Sequence, residues 1–128
     1  MRNKSKHPDL SNQDKRNLTL DGSDFRKNKL YKTRFEFSKI RNSIFDACDG
    51  KFACFIRADL TGSTFIGSNL KKANFGGANL TNANFTSANI DGANFEGAIT
   101  IGAIFTGSNF KRSRKLIIAE QVPVQNPE

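Results

Sequence analysis

Residues 73–97 read ANFGGANLTNANFTSANIDGANFEG, which divides into five consecutive units of five residues. Outward from this stretch, a large apolar residue returns at every fifth position between Leu20 and Phe110, and only Gly50 and Thr100 interrupt the series. An amphipathic helix repeats about every 3.6 residues and a strand every two. The five-residue period therefore predicts a solenoid, in which each unit forms one piece of a repeated backbone turn.

The other positions of the unit are also regular. Two residues before the apolar centre, the side chain is Ala or Ser in every unit from Ala53 to Ser108. Two residues after the centre, glycine is frequent, and eight of the ten glycines follow this rule: Gly22, Gly62, Gly67, Gly77, Gly92, Gly97, Gly102 and Gly107. We therefore expect a small and a large side chain to share a narrow interior, with tight turns at the glycines.

Four of these units closely match a known sequence pattern. Residues 73–77 (ANFGG), 78–82 (ANLTN), 83–87 (ANFTS) and 93–97 (ANFEG) resemble the A(D/N)LXX unit of pentapeptide repeat proteins. The resemblance covers roughly residues 18–115. It implies an all-β fold, namely a right-handed quadrilateral parallel β-helix with four pentapeptides in each coil and about five coils.

The pattern divides the chain into three segments. We expect residues 1–17 to be a basic N-terminal segment that is flexible or forms a short helical cap over residues 8–16. Residues 18–115 are predicted to form the β-helix, and residues 116–128 a C-terminal cap or tail. This last segment is apolar enough to fold over the final coil or to join a second copy as a homodimer, through Leu116, Ile117, Ile118, Val122 and Val124.

Four units per coil would stack residues that are twenty positions apart. Phenylalanine then lines two opposite walls of the interior, with Phe25, Phe45, Phe65, Phe85 and Phe105 on one wall and Phe35, Phe55, Phe75 and Phe95 on the other. Gly50 leaves a gap in the column that contains Leu30, Leu70 and Ile90, and Phe52 is expected to fill this gap by turning inward. Around Thr100, the flanking residues Ile99 and Ile101 predict a local inversion or a loosening of the coil near its last turn.

Length and charge place limits on the class of protein. The chain has 128 residues and a formal net charge of +8, which suit a single domain with a basic surface. The charge is uneven, with twelve Lys and Arg against five Asp and Glu over residues 1–41 and four against five over residues 42–110. No apolar run approaches membrane-spanning length and the first residues lead into no apolar stretch, so we expect a cytoplasmic protein without a membrane span.

Stacking by twenties gathers basic residues that are distant in sequence into one stripe along the coil axis. Its members are Lys29, Tyr31, Lys32, Lys51, Phe52, Lys71, Lys72, Lys111 and Arg112. Asp49 and Asp91 oppose them on the same side, and Arg34 and Arg57 lie on the next side. A basic stripe with aromatic residues predicts a nucleic acid or another anionic surface as partner, whereas the alternative is an ordinary solvated face of lysines.

A second predicted surface is apolar. Five isoleucines are expected to point outward on one side and its corner, namely Ile44, Ile66, Ile99, Ile101 and Ile104. Exposed apolar residues that cluster in this way indicate a surface for contact with another protein.

The sequence offers no constellation of catalytic residues. The single histidine, His7, lies in the leading segment, and the pair Cys48 and Cys54 lacks the further ligands of a metal site. The carboxylates fall on different sides or coils, without the pairing that acid–base catalysis requires. We therefore expect no enzyme activity, no cofactor and no metal.

Three functions are weighed on these grounds. The leading prediction is a non-catalytic scaffold that binds another protein through a flat side or through its C-terminal end. The first alternative is binding of nucleic acid or another anionic surface through the basic stripe. The second comes from the family resemblance, because some pentapeptide repeat proteins mimic DNA in shape and negative charge and modulate DNA gyrase; the near-neutral coils of this chain disfavour it.

Overall fold

The computed structural model describes residues 7–116, which form a repeating coil joined by four ladders of parallel β-bridges. Each bridge pairs a residue with the one twenty positions later, as in Thr64 with Asn84. Within the described range, each pairing is a single-residue bridge, and neither a helix nor a longer strand forms. The coil therefore has four sides, each contributed by one pentapeptide.

We number the sides by the residues that form their bridges. Side 1 contains Asp9, Lys29, Asp49, Asn69, Asn89 and Asn109, and side 2 contains Asp14, Arg34, Cys54, Asn74, Asn94 and Arg114. Side 3 contains Thr19, Lys39, Asp59, Asn79 and Ile99, and side 4 contains Asp24, Ile44, Thr64, Asn84 and Ile104. Each bridge residue is followed by the inward centre of its pentapeptide and then by a turn that leads to the next side.

Backbone hydrogen bonds tie each coil to both of its neighbours. The Phe65 N–H donates to the Asn84 carbonyl at 2.7 Å, and the Asn84 N–H donates back to the Ser63 carbonyl at 3.0 Å. The turn after Phe65 is closed by the Ser68 N–H, which donates to the Phe65 carbonyl at 3.1 Å. The same register recurs along the chain, so that the polar groups of a narrow backbone tube are paired without long strands.

The third residue of every turn adopts a left-handed conformation. From Asn12 to Gly107, this position has φ between +55° and +76° in each pentapeptide. A positive φ there, with a hydrogen bond between the first and fourth residues, characterises a type II turn. Glycine adopts this conformation without steric cost, which explains the eight glycines in register. The remaining turns use other residues, including Ala47 and the bulky Phe37 and Phe52.

Two stacks of phenylalanine fill the centre of the coil, as the sequence predicts. Rings within a stack lie nearly parallel, with centroids 4.7 Å apart for Phe45 and Phe65 and 5.0 Å apart for Phe55 and Phe75. Rings of opposite stacks meet edge to face, as for Phe65 and Phe75 at 5.7 Å. The stacking distance matches the spacing of paired strands, about 4.8 Å, so one coil height suits both the hydrogen bonds and the rings.

The gap at Gly50 is filled from the neighbouring coil. A Cβ added to Gly50 would lie 2.9 Å from Cδ2 of Leu70, which therefore occupies the space. Phe52 stays outside, 46% exposed, in an ordinary turn with φ of +60°. The prediction that Phe52 turns inward is therefore wrong, because Leu70 already fills the column.

The coil also continues without inversion through Thr100. Thr100 is buried, with 8% of its surface exposed, whereas Ile99 and Ile101 remain 45% and 52% exposed. The predicted inversion at this position is wrong. The backbone register determines which side chain points inward, and it is not changed by one polar residue at a central position.

The coil begins earlier than the sequence pattern indicates. Bridges join Asp9 to Lys29 and Asp14 to Arg34, so the predicted short helix over residues 8–16 is wrong. The apolar period does not show this start because Lys15 takes a central position, while Gln13 and Leu18 take the position that is Ala or Ser from Ala53 to Ser108. At the other end, Leu116 packs against the core, and the rest of the expected C-terminal cap or dimer segment lies outside the described residues.

Phe75→Ala is expected to lower the free energy of unfolding by about 3–5 kcal/mol, because the hydrogen-bonded coil cannot collapse onto the cavity. Phe75 is 0% exposed and contacts rings above, below and across the interior. Urea unfolding followed by circular dichroism measures the loss. Phe110→Ala is the control and should lose much less, because Phe110 is 43% exposed. Equal losses in the two variants would contradict the packing described.

Gly67→Ala is expected to cost about 1 kcal/mol through backbone conformation alone. Gly67 has φ of +65°, and an added Cβ would meet no heavy atom within 4 Å. Ala47 lies one coil away on the same corner with φ of +59°, so Ala47→Gly should stabilise, by a smaller amount because glycine adds entropy to the unfolded chain. Thermal melts of both variants test the pair, and a shift of the same sign in both would refute the explanation.

Candidate interaction surfaces

The asparagines and aspartates of the bridge positions are engaged by their own turns. Asn74 Oδ1 accepts a hydrogen bond from the Gly76 N–H at 2.9 Å, and Asn84 Oδ1 accepts one from the Thr86 N–H at 2.9 Å. A short polar side chain that caps a turn in this way favours Asn and Asp over other residues. The frequency of these residues in the repeat is therefore explained by turn formation.

Ion pairs divide the basic residues into two groups. Six arginines of the described residues form ion pairs: Arg16–Asp14, Arg26–Asp24, Arg34–Glu36, Arg41–Asp21, Arg112–Asp91 and Arg114–Glu96. The lysines of this range and Arg57 make none. The unpaired positive charge of the described surface therefore comes from these lysines and Arg57.

The structure places the predicted basic stripe along side 1 and its corner with side 2. Lys29 is a bridge residue of side 1, and the other eight members occupy turn positions of that corner. The stripe carries more negative charge than predicted, because Asp9 pairs with Lys29 in the same ladder. Arg112 is also held by Asp91, with Nη2–Oδ2 and Nε–Oδ1 distances of 2.6 and 2.9 Å. The unpaired lysines are thus concentrated in its middle part.

Aromatic residues flank side 2 on both corners. On the corner with side 1, Tyr31 and Phe52 meet edge to face at 5.9 Å, and Nζ of Lys32 lies 5.3 Å from the centre of the Tyr31 ring. On the corner with side 3, Phe37 is 57% exposed. Phe37 is not among the site residues predicted from the sequence, although its place two residues after the central Phe35 marks it as an outward turn residue.

Glu36 lies buried in the turn that joins side 2 to side 3, directly before Phe37. Its Oε2 accepts hydrogen bonds from Nη2 and Nε of Arg34 at 2.8 and 3.2 Å, while Oε1 is buried without a hydrogen-bond partner. Burial by itself would raise the pKa of Glu36, but the hydrogen bonds and charge of Arg34 outweigh it and lower that pKa. The neighbouring Cys54 thiol also lowers the pKa of Glu36, although Oε1 accepts no hydrogen bond from it.

The five isoleucines of the predicted apolar surface occupy two separate places. Ile99, Ile101 and Ile104 follow one another along a single coil on sides 3 and 4, and each is exposed. Ile44 lies three coils away from Ile104 in the same ladder, or about 14 Å at the strand spacing. Ile66 is 39% exposed in the turn after Thr64, one coil from Ile44 and two coils from Ile104, so Asn84 separates the two parts of the predicted surface. Its role in contact with another protein stays a prediction.

Neither cysteine belongs to a reactive cluster. Cys48 is buried and burial raises the pKa of its thiol, while burial also raises the pKa of the half-buried Cys54. No group of three His, Cys, Asp or Glu side chains suited to a metal ion occurs in the described part of the chain. Among residues 7–116, no helix is long and apolar enough to cross a membrane.

Glu36→Gln is expected to make the fold less sensitive to acid. The pKa of Glu36 is lower in the folded chain than its ordinary value of 4.5, so its contribution to stability is present above that value and is lost as the pH falls through the folded pKa. Urea unfolding at about pH 7 and about pH 3 should show a smaller drop in stability for this variant than for the unaltered chain.

Glu96→Gln is the control for this comparison. Glu96 is exposed and 3.8 Å from its partner Arg114, so its removal should leave the acid sensitivity nearly unchanged. Identical acid dependence in Glu36→Gln and the unaltered chain would refute the role given to the buried carboxylate.

Comparison with known proteins identifies the repeat. The family model for pentapeptide repeats matches the chain in eight copies, over residues 29–65, 65–99 and 88–114. No curated protein matches the chain. A pentapeptide repeat protein of the Arabidopsis thaliana thylakoid lumen is 34% identical, with a TM-score of 0.60, and the match covers 73% of this chain and 69% of that one.

Two cyanobacterial structures have the same architecture. HetL of Nostoc, a pentapeptide repeat protein involved in regulation of heterocyst differentiation, is 26% identical with a TM-score of 0.70 over 72% of this chain, which spans only 39% of HetL. Rfr23 of Cyanothece is 21% identical with a TM-score of 0.78, and the match covers 84% of this chain and 88% of Rfr23. With its repeated turns, four bridge ladders and matching family model, the chain belongs to the pentapeptide repeat family.

Proposed function

We propose that the protein is a non-catalytic scaffold that binds another protein through its outer sides. The observation that supports this most directly is the placement of large apolar side chains outside a filled core. Centres such as Phe55 and Leu60 are 0% exposed, yet several large apolar side chains remain on the surface: Leu18, Tyr31, Phe37, Phe52, Ile66, Ile99, Ile101, Ile104 and Phe110.

The way these side chains are held favours binding. They project from a backbone that is hydrogen-bonded to neighbouring coils and tightly packed within. A rigid surface loses little entropy when a partner binds, and exposed apolar and aromatic residues provide most of the energy at protein interfaces. The Ile99, Ile101 and Ile104 group and the aromatic residues of side 2 are the two surfaces of this kind.

Binding of nucleic acid or another anionic surface is a second candidate. The unpaired Lys51, Lys71 and Lys72 on the corner between sides 1 and 2 favour it, and the ring of Tyr31 beside Lys32 adds an aromatic contact. Modulation of DNA gyrase by DNA mimicry has less support. The fluoroquinolone resistance protein QnrB1 shares the fold at 22% identity and a TM-score of 0.53, but here arginines form ion pairs with six of the acidic residues in the described part of the chain.

Affinity capture from the source organism, with and without nuclease, tests the proposal. We expect protein partners whose recovery is unaffected by nuclease and by the triple substitution Lys51→Glu, Lys71→Glu and Lys72→Glu. Binding to nucleic acid would instead be lost with nuclease, with the triple variant and with rising salt. Failure to recover any protein under either condition would overturn the scaffold proposal.

A further inference from the structure

Two neighbouring rungs of side 2, residues 31–37 and 51–57, concentrate aromatic and basic side chains. We name the exposed apolar part of this region the aromatic face, which consists of Tyr31, Phe37, Phe52 and Ile56. Tyr31, Phe37 and Phe52 are 37%, 57% and 46% exposed, and Ile56 is half-buried in the turn between sides 2 and 3, one coil from Glu36. Tyr31 and Phe52 are in edge-to-face ring contact, so these two members of the face pack against each other without a partner.

Two of these residues are unfavourable choices for the fold itself. Phe37 and Phe52 have φ of +62° and +60°, a conformation that is strained for a bulky side chain and free of strain for glycine. Asparagine meets the same requirement at Asn42 and Asn82 of this chain. Neither ring is buried, so neither offsets this cost by packing in the core. A strained and exposed aromatic residue indicates a role outside folding.

The exposed charged side chains of the two rungs are all positive. The two rungs contain four cations, Lys32, Arg34, Lys51 and Arg57, and a single carboxylate. That carboxylate is Glu36, which is turned into the protein and bound by Arg34. Lys32, Lys51 and Arg57 therefore present positive charge that no acidic side chain of the described residues neutralises.

A hollow extends from the aromatic face along the coil axis. It has a volume of about 410 Å³ and begins at Ile56 and Arg57. Gly76, Gly77 and Gly97 line it without side chains, and Glu96, two coils from Ile56, lines its other end. The hollow gives a bound chain room for a side chain beside the aromatic face.

We propose that the aromatic face binds a protein segment that carries acidic residues together with aromatic or aliphatic anchors. The anchors pack against Phe37, Phe52 and Ile56, and the acidic residues meet Lys32 and Arg57. The half-buried aliphatic Ile56 and the edge-to-face ring pair favour an apolar anchor over a stacked base. This inference rests on the proposed scaffold function and assigns it a surface and a class of partner.

The test uses a library of displayed twelve-residue peptides selected on the whole chain. We expect the enriched peptides to be acidic and to contain Phe, Tyr, Leu or Ile. Their affinity should fall about tenfold in the double variant Phe37→Asn, Phe52→Asn, and also in Lys32→Glu, Arg57→Glu. The Phe variant should melt no lower than the unaltered chain, since asparagine suits these turns, so that lost binding cannot be ascribed to unfolding.

Ala47→Asn is the matched control, because it introduces asparagine at the same turn position on another corner and should leave peptide affinity unchanged. Enrichment of basic or uncharged peptides, or equal affinity for the Phe variant, would overturn the inference and leave the scaffold proposal intact. Binding of a twelve-nucleotide single strand that depends on Phe37 and Phe52, without peptide enrichment, would overturn it in favour of nucleic acid. No enriched peptide and no captured protein would overturn both proposals.

Discussion

The match between ring stacking and backbone pairing is the constraint on which the rest of the structure depends. Phenylalanine rings in one stack are 4.7–5.0 Å apart, and the ladders pair residues at a spacing of about 4.8 Å. Because the two distances agree, each coil can satisfy its hydrogen bonds and bury its rings at the same height. A central residue of another size fits within this register, as at Gly50, where the side chain of Leu70 fills the space.

The same constraint determines what the outer surface can present. With the interior filled and the turn conformation set, variation is confined to the bridge residue and the two turn residues of each pentapeptide. Asn and Asp at the bridge position cap the turns, and arginines form ion pairs with several carboxylates. What remains unpaired, chiefly lysines and a few exposed aromatic and aliphatic residues, is what another molecule would meet first.

The repeat was predictable from local pattern, whereas its ends were not. The apolar period showed the columns from Phe25 to Phe105 because each coil repeats the same inward position. It missed the first coil because Lys15, Gln13 and Leu18 depart from the repeat, although their backbone follows it. It also suggested irregularities at Gly50 and Thr100 that do not occur. The hydrogen-bonded backbone keeps its register at an atypical central residue, and a side chain of the next coil, such as Leu70 beside Gly50, fills the space.

The sequence by itself determined the coil period, the inward columns and the turn positions, because these follow from a five-residue pattern repeated along the chain. Only the tertiary structure decided which outward residues meet. Stacking joins Tyr31 to Phe52 across one coil and pairs Arg112 with Asp91, while it separates Ile44 from Ile104. The reason is that each surface is built from residues on successive coils, which are twenty positions apart in sequence. Their side-chain directions, ion pairs and burial depend on contacts between coils, which a local sequence pattern does not contain.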